Sequence, residues 1–173
     1  MIILKINWYP GHMAKARKLI SEDIKLVDIV IELLDARIPA SSTNPDFRSL
    51  YTDKIRVVIL NKADFADPVI THQWIEHYQK QSFPVIAINA LNKKDINNVK
   101  KLLFSLAEER REKIKQLKGI NKTIRAMVIG IPNVGKSTFI NSISGKSKAK
   151  TGDRPGITKS KQWVRVTSFF ELL

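Results

Sequence analysis

The chain has no cysteine, which excludes disulfides and thiolate metal sites and suits a reducing cytoplasm. No apolar run is long enough to cross a bilayer, because Glu32 breaks the best candidate. The opening stretch, Met1 to Trp8, is short and carries Lys5, unlike a secretory leader or an Arg/Ser-rich transit peptide. No internal repeat or low-complexity tract is visible. Negative charge is scarce: 16 Asp and Glu stand against 30 Lys and Arg, a net charge of +14. The excess is uneven. Lys146 to Arg165 carries seven basic residues against Asp153 alone, and Leu91 to Arg125 carries eleven against four acidic ones. A field of that sign attracts polyphosphate and exceeds what one nucleotide needs, so RNA is the favoured partner, bound with a steep salt dependence. The plain alternative is a solvated, solubilising surface.

What is present is a phosphate-binding pattern. Gly130-Ile131-Pro132-Asn133-Val134-Gly135-Lys136-Ser137-Thr138 matches G-x-x-x-x-G-K-[ST]. It follows a short apolar run, Ile124 to Ile129, fit for a buried parallel strand, and precedes a helical stretch from Ser137 to Ile143. Gly130 and Gly135 give the turn its backbone freedom, and the free amides of the helix start would face an anion. Lys136 is expected to reach the outer phosphates and to count as catalytic, and the Ser137 hydroxyl to ligate magnesium. Pro132, Asn133, Val134 and Thr138 complete the expected nucleotide contacts.

A second pattern comes about seventy residues earlier. Asn61-Lys62-Ala63-Asp64 directly follows the strand-like Arg56 to Leu60, at the sheet edge where open α/β sheets bind ligands. The Asp64 carboxylate can accept two parallel hydrogen bonds from the N1 and N2 edge of guanine. Adenine lacks that donor pair and would leave a desolvated carboxylate unpaired. Asn61 would brace the loop, and the stem of Lys62 would cover the purine. A third strand, Phe83 to Ile88, ends in Asn89-Ala90, where a backbone amide is expected to meet the guanine oxygen; an ordinary strand end is the alternative. The order of these motifs is reversed relative to an ordinary small GTPase. The fold expected is therefore α/β: a P-loop NTPase of the Ras-like G-domain kind, circularly permuted, with a mostly parallel sheet flanked by helices.

Elsewhere, Gly11 to Lys25 has helical apolar spacing and Val27 to Leu34 reads as a strand, followed by a polar loop from Asp35 to Asn44. Helices are expected over about Asp67 to Gln81 and Lys93 to Leu117, with Gly119 to Lys122 as the connector that splices the old termini. Gln162 to Val166 and Phe169 to Leu173 read as two strands, a candidate hairpin. Between them and the phosphate-loop helix, Thr158 in Pro155-Gly156-Ile157-Thr158 is placed to reach a magnesium ion while the terminal phosphate is present.

Together these segments resemble the circularly permuted ribosome-assembly GTPases of the ribosome biogenesis GTPase A type, over essentially the whole chain. The carriers also include Trp8-Tyr9-Pro10-Gly11-His12-Met13-Ala14-Lys15-Ala16 and Asp35-Ala36-Arg37-Ile38-Pro39. The resemblance implies binding of GTP and GDP with Mg2+, and GTP hydrolysis that is slow alone and faster on a large-subunit precursor. It further implies contact with rRNA, no membrane or DNA partner, a monomer, and a cytoplasmic location. His12 matches the leading candidate for positioning the attacking water, which a neutral imidazole can orient or deprotonate; capping the first helix or touching RNA stay open for it. Asn133 resembles the asparagine that ligates potassium in cation-activated relatives. No Asp-x-x-Gly follows Phe169, and the family's C-terminal RNA-binding domain is absent. The expectation is therefore a single permuted G domain over residues 1–173, incomplete at its C-terminus, with its last strands unpaired. Two rival readings are a nucleotide-independent RNA-binding module with a vestigial phosphate loop and a small ATP-dependent kinase, the latter opposed by Asn61 to Asp64.

Overall fold

Runs dominated by β-branched and aliphatic residues build the centre of the molecule, because parallel strands covered on both faces need apolar side chains on each. In the computed structural model, which describes residues 20–45, 53–145 and 163–173, these runs are β1 (Ile29–Asp35), β2 (Ile55–Asn61), β3 (Val85–Ile88) and β4 (Ile124–Ile129). A short hairpin, β5 (Val164–Arg165) and β6 (Phe170–Leu172), closes one side. The sheet order is β3-β2-β1-β4-β6-β5. All neighbours are parallel except β5, which runs antiparallel to β6.

The helices with both ends among the described residues are α1 (Pro39–Ser42), α2 (Pro68–Lys80), α3 (Lys93–Lys118) and α4 (Lys136–Ser144). Local chemistry sets their ends. Asp67 accepts from the amides of Val69 at 2.8 Å and Ile70 at 3.0 Å, with Pro68 as the first helical residue. Asn92 does the same for Lys94 and Asp95. Gly119 ends α3 in the left-handed conformation, its amide returning to the Lys115 carbonyl at 2.8 Å.

The helices pack on opposite faces of the sheet. On one face Ile29, Ile31, Leu33, Val57 and Ile59 meet Val99, Leu103 and Ala107 of α3 and Phe139 and Ile143 of α4. On the other, Leu34, Val58 and Leu60 meet Tyr78 of α2, while Val30, Met127 and Ile129 pack with Ile24 and Val27. Between those two clusters lies a buried ion pair. Arg56 Nε donates to Glu32 Oε2 at 2.7 Å, and the guanidinium sits 4.3 Å from the centre of the Phe83 ring. Glu32, the residue that interrupts the apolar run, is thus neutralised inside the fold rather than exposed.

Several element boundaries differ from the sequence reading. β1 starts at Ile29 because a 3-10 turn, Ile24–Leu26, runs into Val27. β3 starts at Val85, since Pro84 has no amide to give, although its carbonyl accepts from Val58 at 2.9 Å. The segment read as a loop after Asp35 contains α1. The last strands are not unpaired: β6 lies beside β4, with Ile124 opposite Phe170, and β5 covers its other edge. Most of the helix read over Gly11 to Lys25 lies outside the described residues; residues 20–23 are helical.

The buried pair makes a stability prediction. Glu32→Ala, which strands the Arg56 charge, should lower unfolding free energy by about 3–5 kcal/mol in urea titrations. Glu32→Leu combined with Arg56→Met should return close to the parent value, because apolar residues of similar volume replace both charges.

Candidate functional site

The sheet order places β1 between β2 and β4, so the loops leaving β2 and β4 are separated by only one strand. Gly130 leaves β4 hard against β1: a Cβ there would lie 2.5 Å from the Leu33 carbonyl oxygen and 3.0 Å from Val134 Cγ1. Asn61 ends β2, in register with Asp35 of β1. Its side chain is buried and reaches sideways. Asn61 Nδ2 donates to the Val134 carbonyl at 2.8 Å, and Asn61 Oδ1 accepts from the Ala90 amide at 3.1 Å. One carboxamide therefore ties the loop after β4, the loop after β2 and the loop after β3. Gly135, at φ 102°, fits over it only without a side chain, since a Cβ would come within 2.5 Å of Asn61 Nδ2.

Lys62 adds a second tie. Its backbone is left-handed (φ 62°), and its ammonium donates to the Asn133 carbonyl at 2.9 Å and to Asp35 Oδ2 at 3.1 Å. Asp35 is further gripped by Arg37, whose Nε reaches Oδ1 at 2.9 Å and whose Nη2 reaches Oδ2 at 2.7 Å. Arg37 foremost, with Lys62 adding to it and partial burial opposing, holds the Asp35 carboxyl well below the usual carboxylate range.

Lys136 opens α4 and folds back over the loop, donating to the carbonyls of Gly130 at 2.9 Å and Ile131 at 2.8 Å. Burial pushes its pKa down, so the site penalises an uncompensated ammonium and favours an anion beside it. The amides at the start of α4 have the same preference. Asp64 is exposed in the 3-10 turn after Lys62 and makes no hydrogen bond or ion pair with the described residues. An electropositive loop after β4 and an unengaged carboxylate after β2 thus lie at the same end of the sheet, with β1 between them.

Residues 125–172 match the family described as 50S ribosome-binding GTPase. "Ribosome biogenesis GTPase A" of Bacillus licheniformis is 49% identical over 97% of this chain and 59% of its own length. The solved structure "Crystal structure of GNP-bound YlqF from T. maritima" superposes with a TM-score of 0.59 at 28% identity, covering 91% of this chain and 55% of that one. The chain belongs to the ribosome biogenesis GTPase A family. A second solved structure, a GDP-bound TM YlqF, gives 0.60 at 27% identity over 89% of this chain and 55% of that one. The chain spans about three fifths of the length of the curated relatives it matches.

For this member of the ribosome biogenesis GTPase A family, the structure joins Asn61, Lys62, Ala90, Asn133, Val134 and Gly135 at the loops after β2, β3 and β4, while Lys136 bonds the Gly130 and Ile131 carbonyls of the loop after β4. Ala63 and Asp64 lie in the 3-10 turn that follows Lys62. Pro132 is exposed on the loop, and Ser137 and Thr138 occupy the first turn of α4. Asn89 turns inward on its own loop, its Oδ1 accepting from the Leu91 amide and its amide donating to Asp95 Oδ2. The Ala90 amide donates to Asn61 Oδ1. His12 and Thr158 lie outside the described residues. Asp35 and Arg37, carriers of the family resemblance, are also joined through the backbone, the Arg37 amide donating to Asp35 Oδ1 at 3.1 Å. The link from Asp35 to Lys62 was missed, and the only signal for it was that both residues end or follow neighbouring buried strands. Asp95 as the acceptor for Asn89 had no sequence signal beyond its place in the first turn of α3.

Two predictions follow from these contacts. Asn61→Ala leaves the buried Ala90 amide and Val134 carbonyl without partners and should cost about 1–3 kcal/mol of unfolding free energy by chemical denaturation. For Asp35 the folded-state pKa is depressed, so its carboxylate stabilises the fold above the ordinary carboxylate pKa of about 4 and loses that contribution as pH falls toward the depressed value. The stability gap between the parent and Asp35→Asn should hold level from about pH 5 to 8 and shrink below about pH 4, measured by thermal melts across buffers.

Proposed function

We propose that the chain binds GTP and GDP in this cleft and hydrolyses GTP, as part of a protein that assists late assembly of the large ribosomal subunit. In the same reading it binds rRNA in a nucleotide-dependent way, acts as a cytoplasmic monomer, and has no membrane or DNA partner. The observation that carries the nucleotide reading is the Asn61 carboxamide, which joins the phosphate loop to the base-reading loop at 2.8 Å. A dangling Asp64 beside that joint supplies the guanine selectivity, because its carboxylate pairs only with a base that offers two donors. The relatives, named as ribosome biogenesis GTPases, support the ribosomal half of the reading. Exposed Lys93, Lys94, Lys101 and Lys115 along α3 supply an electrostatic surface for RNA.

Each residue has a role in this scheme. The α4 amides and Lys136 hold the phosphates and neutralise charge on the outer ones. Asn61 fixes the loops, Lys62 covers the purine, and the Asn89-Ala90 turn closes the base side. Ser137 and Thr158 would hold a magnesium ion and Asn133 a potassium ion; bound metal there supplies positive charge to the phosphate oxygens. Among the described residues no cluster of three acidic or histidine groups could hold a metal, which fits an ion that takes most of its ligands from phosphate and water. His12 would orient or deprotonate the attacking water.

Fluorescent-nucleotide titrations test the reading. GTP and GDP should compete for the site and ATP should not, and Asp64→Asn should move preference toward xanthine nucleotides. Lys136→Ala should abolish nucleotide binding. His12→Ala should slow hydrolysis by about 100-fold with GTP affinity retained. ATP competing as well as GDP would contradict the assignment.

A further inference from the structure

We infer that Asp35 is a positioning residue for Lys62, pinning its ammonium so that the alkyl stem stays across the purine face, with Arg37 clamping Asp35 from the other side. This rests on the reading of the cleft as a guanine-nucleotide site and extends it to a residue outside both nucleotide-binding motifs.

The geometry distributes four donors over one carboxylate. Asp35 Oδ1 accepts from the Arg37 amide at 3.1 Å and from Arg37 Nε at 2.9 Å, while Oδ2 accepts from Arg37 Nη2 at 2.7 Å and from Lys62 Nζ at 3.1 Å. Only an ionised carboxylate can do this. An asparagine in its place would turn an amide group toward one cation and lose half the set. The Asp35 side chain is 6% exposed, and strand pairing with Asn61 fixes its place relative to the base-reading loop. Arg37 is 48% exposed and grips in the two-pronged geometry suited to a carboxylate.

Lys62 needs this anchor. A lysine stem has many rotamers, and covering a base with it requires that its end be tethered. The neutral Asn133 carbonyl at 2.9 Å is one tether; Asp35 adds a charge-assisted one. The ammonium is thereby shared between the loop after β1 and the phosphate loop. The loop containing Arg37 thus gains leverage on how firmly the purine is held, without touching it.

The test is a double-mutant cycle read in release of mant-GDP from the intact chain by stopped flow. Asp35→Asn should release mant-GDP about ten-fold faster than the parent. Combined with Lys62→Ala it should be no faster than Lys62→Ala alone, because both changes remove one tether. Effects that add fully, or an Asp35→Asn release rate equal to the parent's, would overturn the proposal. Should Asp35→Asn fail to melt cooperatively, the half-exposed Arg37→Ala decides the matter: release about three-fold faster supports the clamp, and unchanged release overturns it. A parent chain that binds no mant-GDP would refute the underlying nucleotide reading instead.

Discussion

The carboxamide of Asn61 is the contact on which the cleft depends, because it is at once donor to the Val134 carbonyl and acceptor from the Ala90 amide. Buried groups of this kind are costly when unpaired, so the three loops that meet there are held in a common arrangement. Its neighbours are shaped around it. Gly135 must lack a side chain because Asn61 occupies the space a Cβ would take, and Gly130 must lack one because β1 passes too close.

The order of strands makes that contact available. β1 separates β2 from β4 by one strand width, and parallel pairing sends the ends of all three to the same edge of the sheet. A single side chain and a single lysine then suffice to bridge from one loop to another. Chain order is irrelevant to this: Asn61 and Lys62 come first in sequence and Asn133 and Val134 much later, yet they bond directly to one another. Permutation changes where the connections run, here through α3 and the Gly119 turn into β4, and leaves the contacts among strand ends intact.

Much of this was legible from residues alone. β1, β2 and β4 are buried on both faces, so they appear as near-continuous apolar runs, and the capping residues Asp67 and Asn92 mark the starts of α2 and α3. The phosphate loop declared itself through glycine spacing, which reflects a backbone need. What stayed hidden depends on neighbours distant in sequence. Nothing in the local pattern said that β6, a three-residue strand, would find a place beside β4. Nor could it show that Glu32 would be neutralised by Arg56 across two strands. The Asp35–Lys62 contact was invisible for the same reason, since it exists only once β1 and β2 lie in register.

The central claim is that two segments written in reverse order form one binding site. A GDP titration followed by amide nitrogen–proton correlation spectra tests it most directly. The account predicts that the amides of Gly135 and Lys136 on one side, and of Ala63 and Asp64 on the other, shift together and saturate with one shared dissociation constant. Shifts confined to one of the two segments, or two separate saturation curves, would contradict it.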